Sequence, residues 1–264
     1  MRFSASGWFS DDWYQNVEAA AKYGFAGIEQ LGWTELDISR AAATLRSCGI
    51  TNSTIALDSR DPDKSRRVGF KYGMVHEDAL PDILSAFRET ADAARELGVP
   101  NIVIITGFAR KDVSREVQHM NCVDALRAIA PIAEEYGVMA LLEPLNSAVD
   151  HSGYFLTSSA EAFDIIRAVG SPSVRVLFDI YHQQISEGNL IRNITENIDL
   201  IGHFHIADNP GRCEPGTGEI NYNSVLCAIQ NTGYDGWLAF ECGASVPADE
   251  LAPRMRMLVS PFES

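Results

Sequence analysis

The feature that most constrains the fold of this chain is a regular alternation between short apolar runs and longer segments with helical spacing. The runs are brief and flanked by Gly or Pro, which favours strands over fragments of helix. A run that is apolar throughout, such as the one at 102–105, is typical of parallel strands buried on both faces. Eight runs follow one another, at Arg2–Ser4, Gly27–Gln30, Ile50–Leu57, Asn101–Thr106, Met139–Glu143, Val174–Asp179, Leu200–His205 and Trp237–Glu241.

The segments between the runs place apolar residues on one helical face. Gly98 and Gly137 lie just past two of these segments, where a left-handed residue commonly ends a helix. Ser158 with Glu161 three residues later predicts a capping box at the start of another helix. The two clearest apolar stripes are Ile83, Phe87, Ala91 and Ala94, and Val123, Leu126, Ala130 and Ala133.

Eight strand–helix units in 264 residues predict an α/β fold, a single (β/α)₈ barrel over residues 1–264. An open doubly wound sheet is the alternative, but no GxGxxG motif follows the first strand. In a barrel of this class the chemistry takes place at the C-terminal ends of the strands. The segment Asp58–Asp78 follows the third strand, and we expect it to be a loop over the barrel mouth.

The charge balance excludes several kinds of partner. The chain has 36 acidic and 21 basic residues, a formal net charge of −15. Such a chain repels phosphate backbones and anionic lipid surfaces, so we expect no nucleic acid and no membrane as partner. Most of the acidic excess is typical of a solvated surface. A few carboxylates could instead converge on a metal ion.

Cysteine usage and hydropathy indicate the compartment. The five cysteines are widely spaced and form no CxxC pair, which argues against a disulfide framework and against a thiolate zinc site. The N-terminal segment has no apolar run suited to a signal peptide, and no stretch of about 18 apolar residues occurs. A cytoplasmic location is therefore the expectation.

Four neighbouring strands each end on a carboxylate or an imidazole: Glu143, Asp179, His205 and Glu241. A carboxylate at the end of a buried apolar run is costly unless it is paired or bound to a cation. Consecutive strands of a barrel would bring these four side chains to one side of its mouth. Three carboxylates and one imidazole suit Mn²⁺ or Mg²⁺, with Co²⁺ as a further option. The alternative is a network of buried ion pairs.

Other polar residues follow the same strands and are candidates for substrate binding. His182 lies three residues after Asp179, and Arg212 belongs to a glycine-rich loop where it can bind a carboxylate or hydroxyl oxygens. His203 shares a strand face with His205, one layer deeper, where it orients a ligand or is a satisfied core histidine. Weaker candidates, more often structural, are Glu29, Asn146, Asp150 and Asp208.

This set of residues suits proton transfer next to a carbonyl group. A divalent cation polarises the carbonyl of a hydroxy-carbonyl substrate and stabilises an enediolate, while Glu143 and Glu241 remove and return a proton. The predicted activity is that of an aldose–ketose or hydroxy-keto acid isomerase, or of an epimerase. Hydrolysis by a metal-activated water is a rival from another enzyme class. A non-catalytic sugar-binding barrel is a rival outside enzymes.

The second half of the chain, from about Met139 to Glu241, resembles the hydroxypyruvate isomerase family, within the xylose isomerase-like TIM barrels. The resemblance is carried by LLEPLN with GYFL, DIYHQQ, GNLIRNI, HFHIADNPGRCEPGTGEINY and GYDGW. It implies a (β/α)₈ barrel that interconverts hydroxypyruvate and tartronate semialdehyde. It also implies that Glu143 and Glu241 act as acid and base, and that Glu143, Asp179, His205 and Glu241 hold the metal.

Two positions depart from that family pattern. Position 205 is His, where the hydroxypyruvate isomerases tend to have Gln, and in this it is similar to the ketose 3-epimerases of the superfamily. Cys242-Gly243-Ala244 replaces an aromatic residue followed by Lys-Pro. The alternative function is therefore a ketose 3-epimerase, or an inosose isomerase or dehydratase, on the same metal site. Barrels of this family often form homo-oligomers, and Trp8, Phe9, Trp13 and Tyr14 are candidates for an interface or for closing the mouth.

Overall fold

A computed structural model of the protein describes residues 1–263 and contains, over that range, nine strands and ten α-helices. The strands are β1 (Arg2–Ala5), β2 (Gly27–Ile28), β3 (Thr51–Asn52), β4 (Thr54–Ala56), β5 (Asn101–Ile104), β6 (Met139–Leu142), β7 (Val174–Asp179), β8 (Ile201–Ile206) and β9 (Trp237–Phe240). The helices are α1 (Trp13–Lys22), α2 (Ile38–Cys48), α3 (Pro62–Val68), α4 (Leu80–Leu97), α5 (Arg115–Tyr136), α6 (Ser159–Val169), α7 (Ile180–Ser186), α8 (Leu190–Glu196), α9 (Tyr222–Asn231) and α10 (Ala248–Val259).

All strand pairs are parallel, in the order β3-β2-β1-β9-β8-β7-β6-β5-β4. The two edge strands, β3 and β4, are consecutive in the chain and separated only by Ser53. The Ser53 amide donates to Ile28 O at 2.9 Å, and Asn101 Nδ2 donates to Ser53 O at 2.8 Å. These two short strands together take the place of one barrel strand. The predicted (β/α)₈ barrel is therefore confirmed, and the predicted run Ile50–Leu57 is interrupted in its middle.

The helices form where the apolar stripes predict them. All eight stripe residues of α4 and α5 are buried, and Gly98 and Gly137 end these helices with φ of 74° and 67°. Ser158 Oγ accepts a hydrogen bond from the Glu161 amide at 3.5 Å, which is half of the predicted capping box. The Glu161 carboxylate binds Arg115 and His119 instead. None of the helices over residues 1–263 is both long and apolar enough to cross a membrane.

The barrel interior is layered along the strands. Val103, Leu141 and Leu177 lie on β5, β6 and β7 and form a small apolar cluster. The strand-end residues lie in the next layer, two residues further along β6 and β7, because alternate residues of a strand share a face. Glu143 follows Leu141 in this way, and Asp179 follows Leu177. The site therefore stands on a packed apolar floor.

The segment Asp58–Asp78, expected to be a loop, contains α3 and a short 3₁₀ turn at Gly73–Val75. It is bound to the loop after β5, since the Phe108 amide donates to Phe70 O at 2.8 Å and the Val75 amide donates to Thr106 O at 3.1 Å. Its position over the barrel mouth agrees with the expectation, because Val68 and Phe70 line a cavity together with Glu143.

The contact between this segment and the barrel requires glycine at position 107. Gly107 has φ of 93°, and a Cβ there would collide with the backbone carbonyl of Tyr72. We expect Gly107→Ala to lower the free energy of unfolding by about 3 kcal/mol or more, through backbone strain and overpacking. Gly49→Ala is the matched control, because Gly49 has φ of 67° but open space around it, so only about 1 kcal/mol is expected. Urea denaturation measures both, and equal losses would contradict the steric argument.

Candidate active site

The four strand-end residues converge at the barrel mouth. Each of Glu143, Asp179, His205 and Glu241 offers a ligand atom, and these atoms all lie within 4.8 Å of one another. His205 is central: its Nδ1 is 3.3 Å from Glu143 Oε1, 3.2 Å from Glu241 Oε2 and 3.9 Å from Asp179 Oδ2. The sheet order explains this convergence, because β6, β7, β8 and β9 are successive neighbours.

Several buried atoms of this cluster make no well-aligned hydrogen bond within the protein. They are Glu143 Oε1, Asp179 Oδ2 and both ring nitrogens of His205, whose close contacts are ion pairs with carboxylates. Buried polar groups in folded proteins are nearly always hydrogen-bonded or bound to an ion. Three carboxylates and one imidazole within this span are a donor set that fits a hard divalent cation.

The surroundings of Glu143 and Glu241 shift the pKa values of the two carboxyl groups in opposite directions. Burial raises the pKa of Glu143 above its ordinary value, although His205 opposes the shift. Desolvation would also raise the pKa of Glu241, but His205 and Arg212 outweigh it and lower that pKa to about 2. Burial would lower the pKa of His205, but Glu29 and Glu241 raise it well above the ordinary value. The surrounding carboxylates thus favour the protonated form of the imidazole.

Glu29 approaches His205 from the side opposite to the three carboxylates. Its Oε1 lies 2.5 Å from His205 Nε2, and its Oε2 lies 2.9 Å from His203 Nε2. All three side chains are buried. Ser53 Oγ donates to Glu29 Oε2 at 2.8 Å, which fixes the carboxylate at the interruption between β3 and β4. The position of His203 one layer below His205 is as predicted.

His182 lies beside Asp179 at the start of α7. Its Nε2 is 3.4 Å from Asp179 Oδ2, and its amide donates to Asp179 Oδ1 at 3.1 Å. Asn146 Nδ2 donates to His182 Nδ1 at 2.6 Å and to Asp150 Oδ2 at 2.7 Å. Tyr181 donates its hydroxyl proton to the same Asp150 oxygen at 2.9 Å. Asn146 and Asp150, two weaker candidates, thus connect to the site through His182.

Arg212 reaches over the site from the loop after β8. Its Nη2 is 2.6 Å from Glu241 Oε2 and 3.7 Å from Asp179 Oδ2. Its backbone is in the left-handed region with φ of 53°, which is uncommon for a residue other than glycine. Two backbone hydrogen bonds hold it there: its amide donates to Asp208 O at 3.0 Å, and the Gly243 amide donates to Arg212 O at 2.8 Å.

Sequence reasoning missed one residue that supports the site. Tyr154 donates its hydroxyl proton to Glu143 O at 3.0 Å and accepts from the Thr106 amide at 2.8 Å. It therefore fixes the backbone at the end of β6 against the loop after β5. The motif GYFL contains this tyrosine. The sequence does not show which distant carbonyl its hydroxyl group contacts.

The fold and the cluster define a parallel α/β barrel with a candidate metal centre at the C-terminal ends of four neighbouring strands. The chain belongs to the xylose isomerase-like TIM barrel family, whose model matches residues 17–259. It is 34% identical over 248 residues to the hydroxypyruvate isomerase of Escherichia coli (strain K12), covering 91% of this chain and 93% of that protein. It is 33% identical over 227 residues to a 2-oxo-tetronate isomerase of Cupriavidus necator, covering 84% of each. These relatives confirm the expected class of enzyme, an isomerase.

Solved structures confirm the fold. A protein from Brucella melitensis named AP endonuclease, family 2, matches with a TM-score of 0.85 at 24% identity, over 100% of this chain and 99% of that chain. A D-psicose 3-epimerase from Clostridium cellulolyticum H10, solved with D-tagatose, matches with a TM-score of 0.77 at 20% identity, over 100% of both chains. At these identities the likeness shows the shared barrel.

The loop that carries Arg212 depends on the buried carboxylate of Asp208. This carboxylate accepts from the backbone amides of Asn209, Gly216 and Ile220 at 2.9, 2.8 and 3.0 Å. In Asp208→Asn one oxygen becomes an NH₂ that cannot accept, so we expect a loss of about 1–3 kcal/mol in unfolding free energy. Asp235→Asn, at an exposed carboxylate, should stay within about 0.5 kcal/mol of the native protein. Thermal unfolding compares the two, and losses of the same size would refute this role.

Proposed function

We propose that this protein is a metal-dependent isomerase that moves a proton between adjacent carbons of a hydroxy-carbonyl substrate. The candidate reaction is the interconversion of hydroxypyruvate and tartronate semialdehyde through an enediolate. The observation that carries the proposal is the convergence of two glutamates, one aspartate and one histidine within 4.8 Å at the barrel mouth. The names of the two curated relatives support a substrate of this kind.

Glu143, Asp179, His205 and Glu241 would hold a divalent cation, Mn²⁺ or Mg²⁺, with Co²⁺ as a further option. The buried, unsatisfied oxygens of Glu143 and Asp179 support this fit. When bound, such a cation polarises the substrate carbonyl and stabilises negative charge on the adjacent oxygens. The donor set favours hard cations because three of the four ligand atoms are carboxylate oxygens.

Glu143 and Glu241 are the proposed acid and base. One of them removes a proton from the hydroxymethyl carbon, and the other gives a proton to the former carbonyl carbon. The hydroxyl proton passes to the former carbonyl oxygen, so that the product has the same atoms as the substrate. His205 Nδ1 lies 3.3 Å from a Glu143 oxygen and 3.2 Å from a Glu241 oxygen, so both carboxylates face one site, which supports this proposal.

The remaining candidates are proposed to bind substrate. Arg212 donates a hydrogen bond to Glu241, and the other N–H groups of its guanidinium can donate to a carboxylate or hydroxyl of the substrate. His182 has an unpartnered Nε2 beside Asp179, within reach of a substrate oxygen at the same place. Asn146 fixes the tautomer of His182, and Glu29 lines a second cavity together with Glu241.

The acid–base assignment predicts that Glu143→Gln and Glu241→Gln each lower kcat by at least about 100-fold. The amide is nearly isosteric but cannot exchange a proton, so circular dichroism should show an unchanged fold. Glu18→Gln, at an exposed residue of α1, is the control and should keep native kcat. Turnover of hydroxypyruvate, followed by proton NMR, measures the effect. Native turnover in either site variant would rule out that glutamate as acid or base.

We further propose that Glu29 positions His205 for metal binding. Glu29 lies 2.5 Å from His205 Nε2, so the opposite nitrogen, Nδ1, faces the three carboxylates. A carboxylate behind a ligating histidine fixes the ring and makes it a better ligand. Glu29→Gln should therefore weaken Mn²⁺ binding about 10- to 100-fold, measured by calorimetric titration of the purified protein. Glu18→Gln is again the matched control, and native affinity in Glu29→Gln would contradict the positioning role.

A ketose 3-epimerase is the second candidate, favoured by the histidine at position 205 among the three carboxylates. The two reactions differ in the carbon that exchanges its proton. In D₂O, 1,2-isomerisation places deuterium at C1 of the ketose or at C2 of the corresponding aldose, whereas 3-epimerisation places it at C3. Incubation with a panel of ketoses and hydroxypyruvate, followed by NMR, separates them. An inosose isomerase or dehydratase would be recognised in the same panel by action on an inosose.

The cellular compartment of the enzyme is proposed from its cysteines. All five are free, with two of them buried, which suits a reducing compartment. We therefore infer a cytoplasmic enzyme. Association into a homo-oligomer stays a prediction. Trp8, one of the aromatic residues proposed for the interface, already makes contacts within the chain: it packs against Phe240 with ring centroids 5.4 Å apart and donates to Cys242 O at 2.9 Å.

A further inference from the structure

A cavity of about 340 Å³ opens directly beside the carboxylate cluster. Glu143, Glu241 and Arg212 form one wall of it. The other walls come from the ends of β4 and β5, from α3 and from the residues after β2 and β6. They are mostly apolar, and their main members are Leu31, Leu57, Val68, Phe70, Val103 and Leu145. We call this space the apolar cavity.

A second cavity also borders Glu241 and has a more mixed lining. It measures about 460 Å³ and combines polar groups, among them Ser6, Asp11, Glu29 and Gln30, with the rings of Trp13 and Phe240. Glu241 and Leu31 border both cavities. Glu241 thus lies between a cavity of mixed lining and a mostly apolar one.

Apart from the site itself, the polar residues that line the apolar cavity are Asp58, Ser65 and His151. Asp58 Oδ1 accepts from the Ser59 amide at 2.8 Å. The His151 ring stacks on Phe70, with centroids 5.1 Å apart and planes 5° apart. The rest of the lining is apolar, so a chain of hydroxyl groups that runs past it would lose its water and leave the hydroxyls that face it without partners, which is costly.

The charge of the cavity also restricts its ligand. Of the described residues that line it, Arg212 is the one lysine or arginine, and its guanidinium already binds Glu241 at 2.6 Å. Gly243 and Ala244 follow the last strand, so no cation comes from there. Apart from the proposed metal ion, a second carboxylate on a substrate would therefore face Glu143 and Glu241 with no free lysine or arginine beside it.

We propose that the substrate is a hydroxy-carbonyl compound with an apolar substituent that fills the apolar cavity. The inference rests on the proposed function, because the hydroxy-carbonyl group is placed at Glu143 and Glu241. A three-carbon acid such as hydroxypyruvate would fill only the end of the apolar cavity next to Glu143, Glu241 and Arg212. Water in the liquid occupies about 30 Å³ per molecule, so the apolar cavity has room for several carbon atoms beyond that end. Phe70, which is 38% exposed, would be covered by the substituent.

Binding of matched hydroxyketones tests the inference on the Mg²⁺-loaded protein. The probes are 1-hydroxy-2-butanone, 1-hydroxy-2-hexanone and L-erythrulose, with Kd measured by ligand-observed NMR. Each buried methylene should improve affinity about fourfold, so the hexanone should bind about 15-fold more tightly than the butanone. Erythrulose has the butanone skeleton with two more hydroxyls and should bind more weakly. Equal affinity for the two hydroxyketones, or tighter binding of erythrulose, would overturn the inference.

Variants locate the effect in the apolar cavity. Val68→Thr is nearly isosteric and places a hydroxyl in the wall, so the advantage of the hexanone over the butanone should fall several-fold. Val117→Thr makes the same change at an exposed position of α5 and should leave the advantage intact. An unchanged advantage in Val68→Thr would show that the alkyl chain binds elsewhere.

Deuterium exchange separates this inference from the proposed function on which it rests. If the probes show the expected order of Kd but no exchange in D₂O, the proton-transfer mechanism is wrong and the apolar cavity is confirmed as a binding site. If exchange occurs but affinity does not rise with chain length, the mechanism stands and the apolar substituent is wrong.

Discussion

The structure depends on one electrostatic arrangement: three carboxylates buried around a single imidazole at the end of a barrel. Glu143, Asp179 and Glu241 would repel one another at this spacing, and His205 lies within 4 Å of all three. Glu29 contacts the other ring nitrogen of the imidazole at 2.5 Å. A parallel barrel makes the arrangement possible, because it brings the ends of successive strands to one edge and supports them on an apolar floor.

Hydrogen bonds between side chains and the backbone fix the loops around this cluster. The Asp208 carboxylate accepts from three backbone amides of the loop that presents Arg212. The Tyr154 hydroxyl bonds the backbone at Glu143, after β6, and at Thr106, after β5. Arg212 can hold a left-handed backbone because both of its peptide groups are bonded. Such groups cost stability when unpaired, so their pairing makes the geometry of the mouth specific.

The four strand-end residues and the barrel were predictable, because each residue closes an apolar run whose period and length are visible in the sequence. The relation of Glu29 to His205 was not, since it depends on how β2 faces β8 across the barrel. The interruption at Ser53 lies inside a run that reads as one strand. Helix α3 did carry a signal, with Asp61 as its cap and Pro62 in its first turn, but the charged residues around it resemble those of a loop.

The unequal exposure of the two glutamates has a consequence for isotope labelling. The Glu241 side chain is 30% exposed, between two cavities, whereas that of Glu143 is 8% exposed. In the proposed reaction one glutamate removes a proton and the other delivers one, so the product receives a proton that did not come from the substrate. A proton on Glu241 can exchange with water before it is delivered, whereas a proton on Glu143 is shielded. The direction in which the reaction runs decides which glutamate delivers the proton, and would then decide how quickly solvent deuterium enters the product. A substituent large enough to cover Glu241 would slow that entry.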